Sequence, residues 1–217
     1  MTPTLHRIPV PNLPPDSSGK HCIAAWDWGD ASASRTAICV HGLTRNARDF
    51  DGIAAALVAR GYRVLCLDMA GRGASDWLAN PLNYHYATYV ADCLAVLDNF
   101  HLREVDWIGT SMGGLIGMMI AAEWRDRIRK LVMNDIGAYL TQAALTRIYT
   151  YVRALPHYFD SRAQAEDYLR TAFAPFGITD PAQWSQFVEH SLITRAEKLC
   201  YACDPAIAVP LAAASEQ

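Results

Sequence analysis

No run of 18 apolar residues occurs in this 217-residue chain, so nothing in it reads as a membrane-spanning helix. The first twenty residues, MTPTLHRIPVPNLPPDSSGK, lack the apolar core of a signal peptide and are interrupted by prolines. Positive charge is not in excess. The 19 Lys and Arg stand against 22 Asp and Glu, a formal net charge of -3, which offers no basic surface for nucleic acid. The cluster Arg125, Arg127, Arg129 and Lys130 contains Asp126 and leads into an apolar stretch, so it reads as the solvated end of a helix. Metal-ligand spacing is equally scarce: of the six cysteines (22, 39, 66, 93, 200 and 203), only Cys200 and Cys203 form a C-x-x-C pair, and that pair has no second half. Most of the cysteines sit inside apolar runs, where a reduced thiol behaves as a small hydrophobe. These absences imply a cytoplasmic protein with no metal, no cofactor, and neither a nucleic-acid nor a membrane partner.

What is present is a globular composition, 52% hydrophobic and 19% charged, at a length suited to one domain or to one domain with an insertion. TAICV (36–40) is a β-branched, apolar run of strand length, ended by His41 and Gly42. Residues 46–61 then read as a helix capped by Asn46 and stopped by Gly61. The same alternation repeats: strand 62–68, helix 86–102, strand 104–109, helix 113–124 and strand 128–135. Near-continuous apolar strands alternating with helices predict an α/β protein, a doubly wound, mostly parallel sheet covered on both faces. KHCIAAWDWG (20–29) is expected to add antiparallel strand ahead of it.

After Asp135 the pattern changes. Residues 141–154, 161–174 and 181–191 read as helix with no strand between them, and Asp180 with Pro181 makes a good helix start. The block is rich in aromatic residues, which suits a lid, although any one ring is more simply core between small helices. The expected division is 1–136 as the first part of the core, 137–200 as helical lid, and 201–217 as a tail.

Gly109-Thr110-Ser111-Met112-Gly113 lies where the third parallel strand meets its helix. A serine at that junction sits on a strained turn, and the flanking Gly109 and Gly113 let strand and helix approach closely. Its hydroxyl is then presented at the carboxyl end of the sheet, where open α/β sheets place their sites. The Met112 amide, in the first helical turn, faces the same space and can donate to an oxyanion. The alternative is a serine that merely caps the helix. At the end of the first parallel strand, Gly42 is expected to let the chain turn sharply and free the Leu43 amide as a second donor. Gly71-Arg72-Gly73 also follows a strand, but a third glycine is missing and Asn80-Pro81 intervene before the next helix, which excludes a dinucleotide site.

VHGLTRNARDF, LDMAGRGASDW, GTSMGG and VMNDIG together resemble the α/β-hydrolase superfamily, in its lid-bearing branch of serine hydrolases, over about residues 20 to 205. The resemblance implies Ser111 as nucleophile, the Leu43 and Met112 amides as oxyanion donors, and a site-organising loop from Asp68 to Ser75. It implies an esterase-like hydrolase for a small-molecule substrate, with acyl chemistry because the nucleophile position is serine rather than aspartate. A transferase or perhydrolase using the same serine stays open.

In that family the order is serine, acid, histidine. Asp135 ends the strand beside that of Ser111, a position some members use for the acid; the other reading is a loop-organising aspartate in NDIG. The histidines after Ser111, His157 and His190, both fall in the lid block, where a structural role is the simpler reading. The segment LCYACDPAIAVP resembles the approach to a further core strand, and no acid or histidine of the family pattern follows it. The expectation is therefore a C-terminally shortened core, either catalytically impaired or serving as a small-molecule-binding protein. Its KLVMN strand would form an exposed apolar edge prone to self-association.

Overall fold

The computed structural model describes residues 2–13 and 19–215. The core is one six-stranded sheet in the order β1-β2-β4-β3-β5-β6. Strands β1 (Thr4–Pro11) and β2 (Lys20–Trp28) are antiparallel, and β2 runs antiparallel to β4 (Arg63–Asp68). Strands β3 (Thr36–Val40), β4, β5 (Val105–Thr110) and β6 (Ile128–Asn134) are parallel. Proline at positions 9 and 11 is tolerated because β1 is an edge strand, where a missing N–H costs no ladder bond.

The chain leaves β3 through a 3-10 turn (Ala47–Phe50) and α1 (Asp51–Val58) to reach β4 on one side of β3. From β4 it returns through α2 (Tyr86–Asn99) to β5 on the other side, and α3 (Met112–Glu123) then joins β5 to β6. The two crossovers therefore cover opposite faces of the sheet. Alternating strand residues divide accordingly: Ala37, Cys39, Val64 and Cys66 pack with Phe50 and Ala54, whereas Ile38, Val40, Leu65 and Leu67 pack with Tyr89, Val96 and Ile116. All four of the latter strand residues are fully buried, so β3 and β4 read as continuous apolar runs.

Beyond β6 lie α4 (Gln142–Arg153), α5 (Arg162–Ala172) and α6 (Pro181–Ser191). Each begins at a side-chain cap, from Thr141, Ser161 and Asp180 respectively. A hairpin of β7 (Leu192–Arg195) and β8 (Lys198–Tyr201) follows, and then α7 (Ala208–Ser215), which packs on α4. The segment 201–217, read from the sequence as a tail, thus starts in a hairpin strand and continues into helix. Val152, Leu155, Leu169, Val188 and Tyr201 extend the same apolar layer that covers Ile38 and Val40. No helix among the described residues is long and apolar enough to cross a membrane.

Candidate active site

The sheet changes direction of growth at β3, and this opens a crevice between the carboxyl ends of β3 and β5. Val40 is in register with Gly109, so the residues two positions further on, Gly42 and Ser111, become neighbours. A Cβ added to Gly42 would lie 3.8 Å from the Ser111 Cβ. The chain turns at Gly42, whose carbonyl accepts from the Arg45 amide at 3.1 Å, although Gly42 itself lies outside the left-handed region. The lack of a side chain leaves open the space in front of the serine.

Ser111 has φ 49° and ψ -111°, a strained backbone for a residue with a Cβ. Its amide donates to Asn134 O at 2.9 Å, and its carbonyl accepts from Gly114 and Leu115 at 2.9 and 3.2 Å. The close approach of α3 to the sheet has a steric cause. A Cβ on Gly113 would overlap the Val40 carbonyl, and one on Gly109 would overlap the Gly113 backbone. The buried Trp107 indole donates to Gly113 O at 2.9 Å and pins the first turn of α3. Among the described residues, neither the Met112 nor the Leu43 amide has an acceptor, and the Ser111 hydroxyl forms no hydrogen bond.

His41, fully buried, orients the loop. Its Nε2 accepts the Met69 amide at 3.0 Å, which fixes the tautomer, so Nδ1–H donates to Gly42 O at 2.7 Å. That carbonyl belongs to the same peptide unit as the Leu43 N–H, and holding one end aims the other. Burial first, and then the charges of Arg72 and Arg45, push His41 down to about 3 despite the Gly42 bond. It is a neutral structural histidine at physiological pH. The Asp68 carboxylate accepts from the Ala47 amide (2.7 Å), the Ala74 amide (2.9 Å) and the Trp26 indole (3.0 Å), tying the 68–76 loop to the start of the helical crossover.

Arg45 and Arg72 carry no site role in the sequence reading, and both are buried here. Arg45 makes two bonds to Asp49 (2.8 and 2.5 Å) and reaches Ser191 Oγ (2.8 Å) and Tyr201 OH (3.1 Å), while its guanidinium lies 3.9 Å from the Phe187 ring centroid. It clamps α6 and β8 onto the loop that follows β3. The signal available in the sequence was a charged residue two positions past His-Gly-Leu; of its partners Asp49 is four residues on, while Ser191 and Tyr201 lie 146 and 156 residues away.

The other sequence candidates are dispersed. Asp135 is exposed, in a left-handed conformation at φ 55°, and no histidine is hydrogen-bonded to it among the described residues. His157 is exposed after α4. His190 lines a cleft of about 510 Å³ together with Gly42, Thr110 and Asn134, but its Nε2 stands 3.9 Å from Asp51, beyond hydrogen-bond length. Burial and then Arg48 hold His190 below the ordinary imidazole range. No group of three or more His, Cys, Asp or Glu side chains that could hold a metal occurs among the described residues.

Known proteins are similar to this chain in sequence and fold. Residues 38–173 match the family model described as alpha/beta hydrolase fold. The 3-hydroxybutyrate-oligomer hydrolase of Cupriavidus necator is 44% identical over 169 residues, covering 78% of this chain and 57% of that protein. The chain thus spans little more than half the length of that relative. A Rickettsia typhi crystal structure superposes with a TM-score of 0.86 at 34% identity, over 96% of this chain and 74% of that one. An alpha/beta hydrolase of Novosphingobium aromaticivorans gives 0.78 at 30% identity, over 95% and 70%. With the sheet order, the strained serine and this likeness in agreement, the chain belongs to the α/β hydrolase fold family.

Proposed function

We propose that the chain is a serine hydrolase that acts on a small ester or related carbonyl substrate through an acyl-enzyme on Ser111. One observation supports the reading: a serine held at φ 49° between β5 and α3, next in the chain to Met112 and beside the Gly42–Leu43 loop, whose two backbone amides have no acceptor among the described residues. In the first step Ser111 Oγ bonds to the substrate carbonyl carbon, the carbonyl electrons move to oxygen, and the two amides take that oxyanion. The hydroxyl proton passes to a base; the tetrahedral intermediate then expels the protonated alcohol, and water later releases the acid. The helical block α4 to α6 acts as a lid whose side chains select the substrate. The name of the Cupriavidus relative supports short oligomers of a hydroxy acid as first test substrates.

A second reading has its own support. No described histidine lies within hydrogen-bond reach of Ser111 Oγ, which favours a binding protein or a catalytically impaired chain. An oxyanion hole without its triad retains only about 10³–10⁴-fold catalysis over water. Fluorophosphonate labelling of wild type and Ser111→Ala, beside turnover of p-nitrophenyl butyrate, separates the two. The hydrolase reading expects labelling and turnover that need Ser111; folded wild-type protein that takes no label overturns it.

A further inference from the structure

Arg72, in the 68–76 loop, packs against residues 41–45 and is fully enclosed. A buried guanidinium ordinarily has a carboxylate beside it, because an unpaired buried charge is costly. Among the described residues none lies within ion-pair distance of Arg72. The nearby Asp204 carboxylate is spent on the Tyr84 hydroxyl at 2.6 Å and on the Ala206 amide at 2.9 Å. Arg72 is instead solvated by neutral groups. Nε donates to Leu43 O at 2.8 Å, Nη1 to Ala70 O at 2.7 Å and to Tyr89 OH at 2.8 Å, and Nη2 approaches Met112 Sδ at 3.8 Å.

Two of those four contacts fall on the Leu43 carbonyl and the Met112 thioether, in the two residues whose amides are proposed above as oxyanion donors. His41 holds the peptide unit before the Leu43 Cα, and Arg72 holds the one after it, so the residue is fixed from both sides. The Arg72 backbone is in turn bridged to Cys203, and Gly73 N donates to Ala202 O at 3.0 Å, so the end of the hairpin braces the arginine. A positive charge left without a counter-anion, beside the Leu43 carbonyl and the Met112 side chain, also favours negative charge developing near those residues.

We infer that Arg72 is a positioning residue of the oxyanion hole, locking the Leu43 donor through its carbonyl, packing on the Met112 side chain, and lending its unneutralised charge to the tetrahedral intermediate. The inference rests on the serine-hydrolase reading above. It differs from a purely structural role in what it spares: substrate binding in the ground state is unaffected, and the loss falls on the oxyanion.

The test compares Arg72→Met, Arg72→Lys and Tyr89→Phe with wild type, and with Ser111→Ala as control. Readouts are kcat and KM on p-nitrophenyl butyrate and inhibition by a pair of aliphatic ketones. A trifluoromethyl ketone adds to the serine and forms an oxyanion; the matching methyl ketone binds without adding. Arg72→Met is expected to lower kcat about 100-fold with KM within twofold, in line with the loss of one oxyanion donor or a misplacement of it. The trifluoromethyl ketone should weaken by the same factor and the methyl ketone should not. Arg72→Lys, which keeps charge and loses the fork, should recover part of the rate. Tyr89→Phe, which removes one brace, should cost a few-fold in kcat. Should Arg72→Met fail to fold, the other two variants decide, and unchanged kcat in both overturns the inference. Equal weakening of both ketones also overturns it. Labelling that is absent from wild type, or that persists in Ser111→Ala, removes the hydrolase reading and this inference with it. A Ser111-dependent wild type with an indifferent, folded Arg72→Met removes the inference alone.

Discussion

His41 should make this protein acid-labile by an amount that can be worked out. Unfolded, it titrates near 6.5; folded, burial and the neighbouring Arg72 and Arg45 hold it at about 3. A depressed folded value means that the contribution is intact above pH 6.5 and is lost as pH falls from there toward 3, because the unfolded chain binds a proton that the native state refuses. The slope in that window approaches about 1.4 kcal/mol per pH unit. Between pH 7.5 and pH 5 the loss is about 2 kcal/mol, roughly a 30-fold rise in the unfolded fraction. The figure is insensitive to the folded value, since any value of about 4 or below gives the same result over this range.

Other groups titrate in the same window, so the measurement is a difference. The side-chain amide of a His41→Gln variant can reproduce both bonds, donating to Gly42 O and accepting the Met69 amide, without a titrating ring. Urea unfolding of both proteins at pH 7.5 and pH 5 gives four free energies. Wild type should lose about 2 kcal/mol more than His41→Gln between the two pH values. Parallel losses, equal within about 0.5 kcal/mol, would show that His41 is protonated in the native state and that its role as a neutral orienter is wrong.

Two other perturbations test the frame around the site. Gly113→Ala drives a methyl into the Val40 carbonyl and should cost at least about 3 kcal/mol in denaturant unfolding, where an exposed Gly52→Ala in α1, with open space around it, should not destabilise. β6 pairs only with β5 among the described residues, and Val132 on it is 53% exposed. Wild type should therefore self-associate in sedimentation velocity at tens of micromolar, and Val132→Lys should shift it toward monomer. A monodisperse wild-type monomer with a single sharp melt refutes that use of the edge.

The parallel strands were legible because burial on both faces leaves no polar residue to confuse the pattern: TAICV is strand over the whole of 36–40. The elbow was legible because close packing demands glycine at 109 and 113, and only an α/β junction brings strand and helix that near. Other elements left weaker traces. β1 carries two prolines, which read as a break unless the strand is known to lie at an edge. The β7–β8 hairpin turns on Ala196 and Glu197, both at positive φ (47° and 64°), where the usual sequence signal is Asn-Gly or Asp-Gly. Gly42 opens a turn, as its glycine suggested, while its position beside Ser111 follows from the register of β3 and β5. Arg45 and Arg72 were opaque because their partners, Tyr201 and Leu43, are brought to them by tertiary packing alone.

Those two arginines and His41 have a common logic. Each contacts a different part of residues 42–45 or what covers them: His41 the Gly42 carbonyl, Arg72 the Leu43 carbonyl, and Arg45 the α6 and β8 elements that close over the loop. A loop that must present a bare N–H to an anion cannot satisfy that N–H itself, so its rigidity has to come from its carbonyls and its neighbours. Donors supplied by buried cationic or neutral-imidazole side chains do this and keep the local potential positive. On the proposed reading, the Ser111 turn and the loop at residues 42–45 are held by contacts that do not pass through a histidine at Ser111. Reactivity toward an electrophile that traps the oxyanion geometry can therefore be measured separately from turnover. A folded chain that labels slowly yet fails to turn over would place the missing contribution in proton transfer rather than in this half of the site.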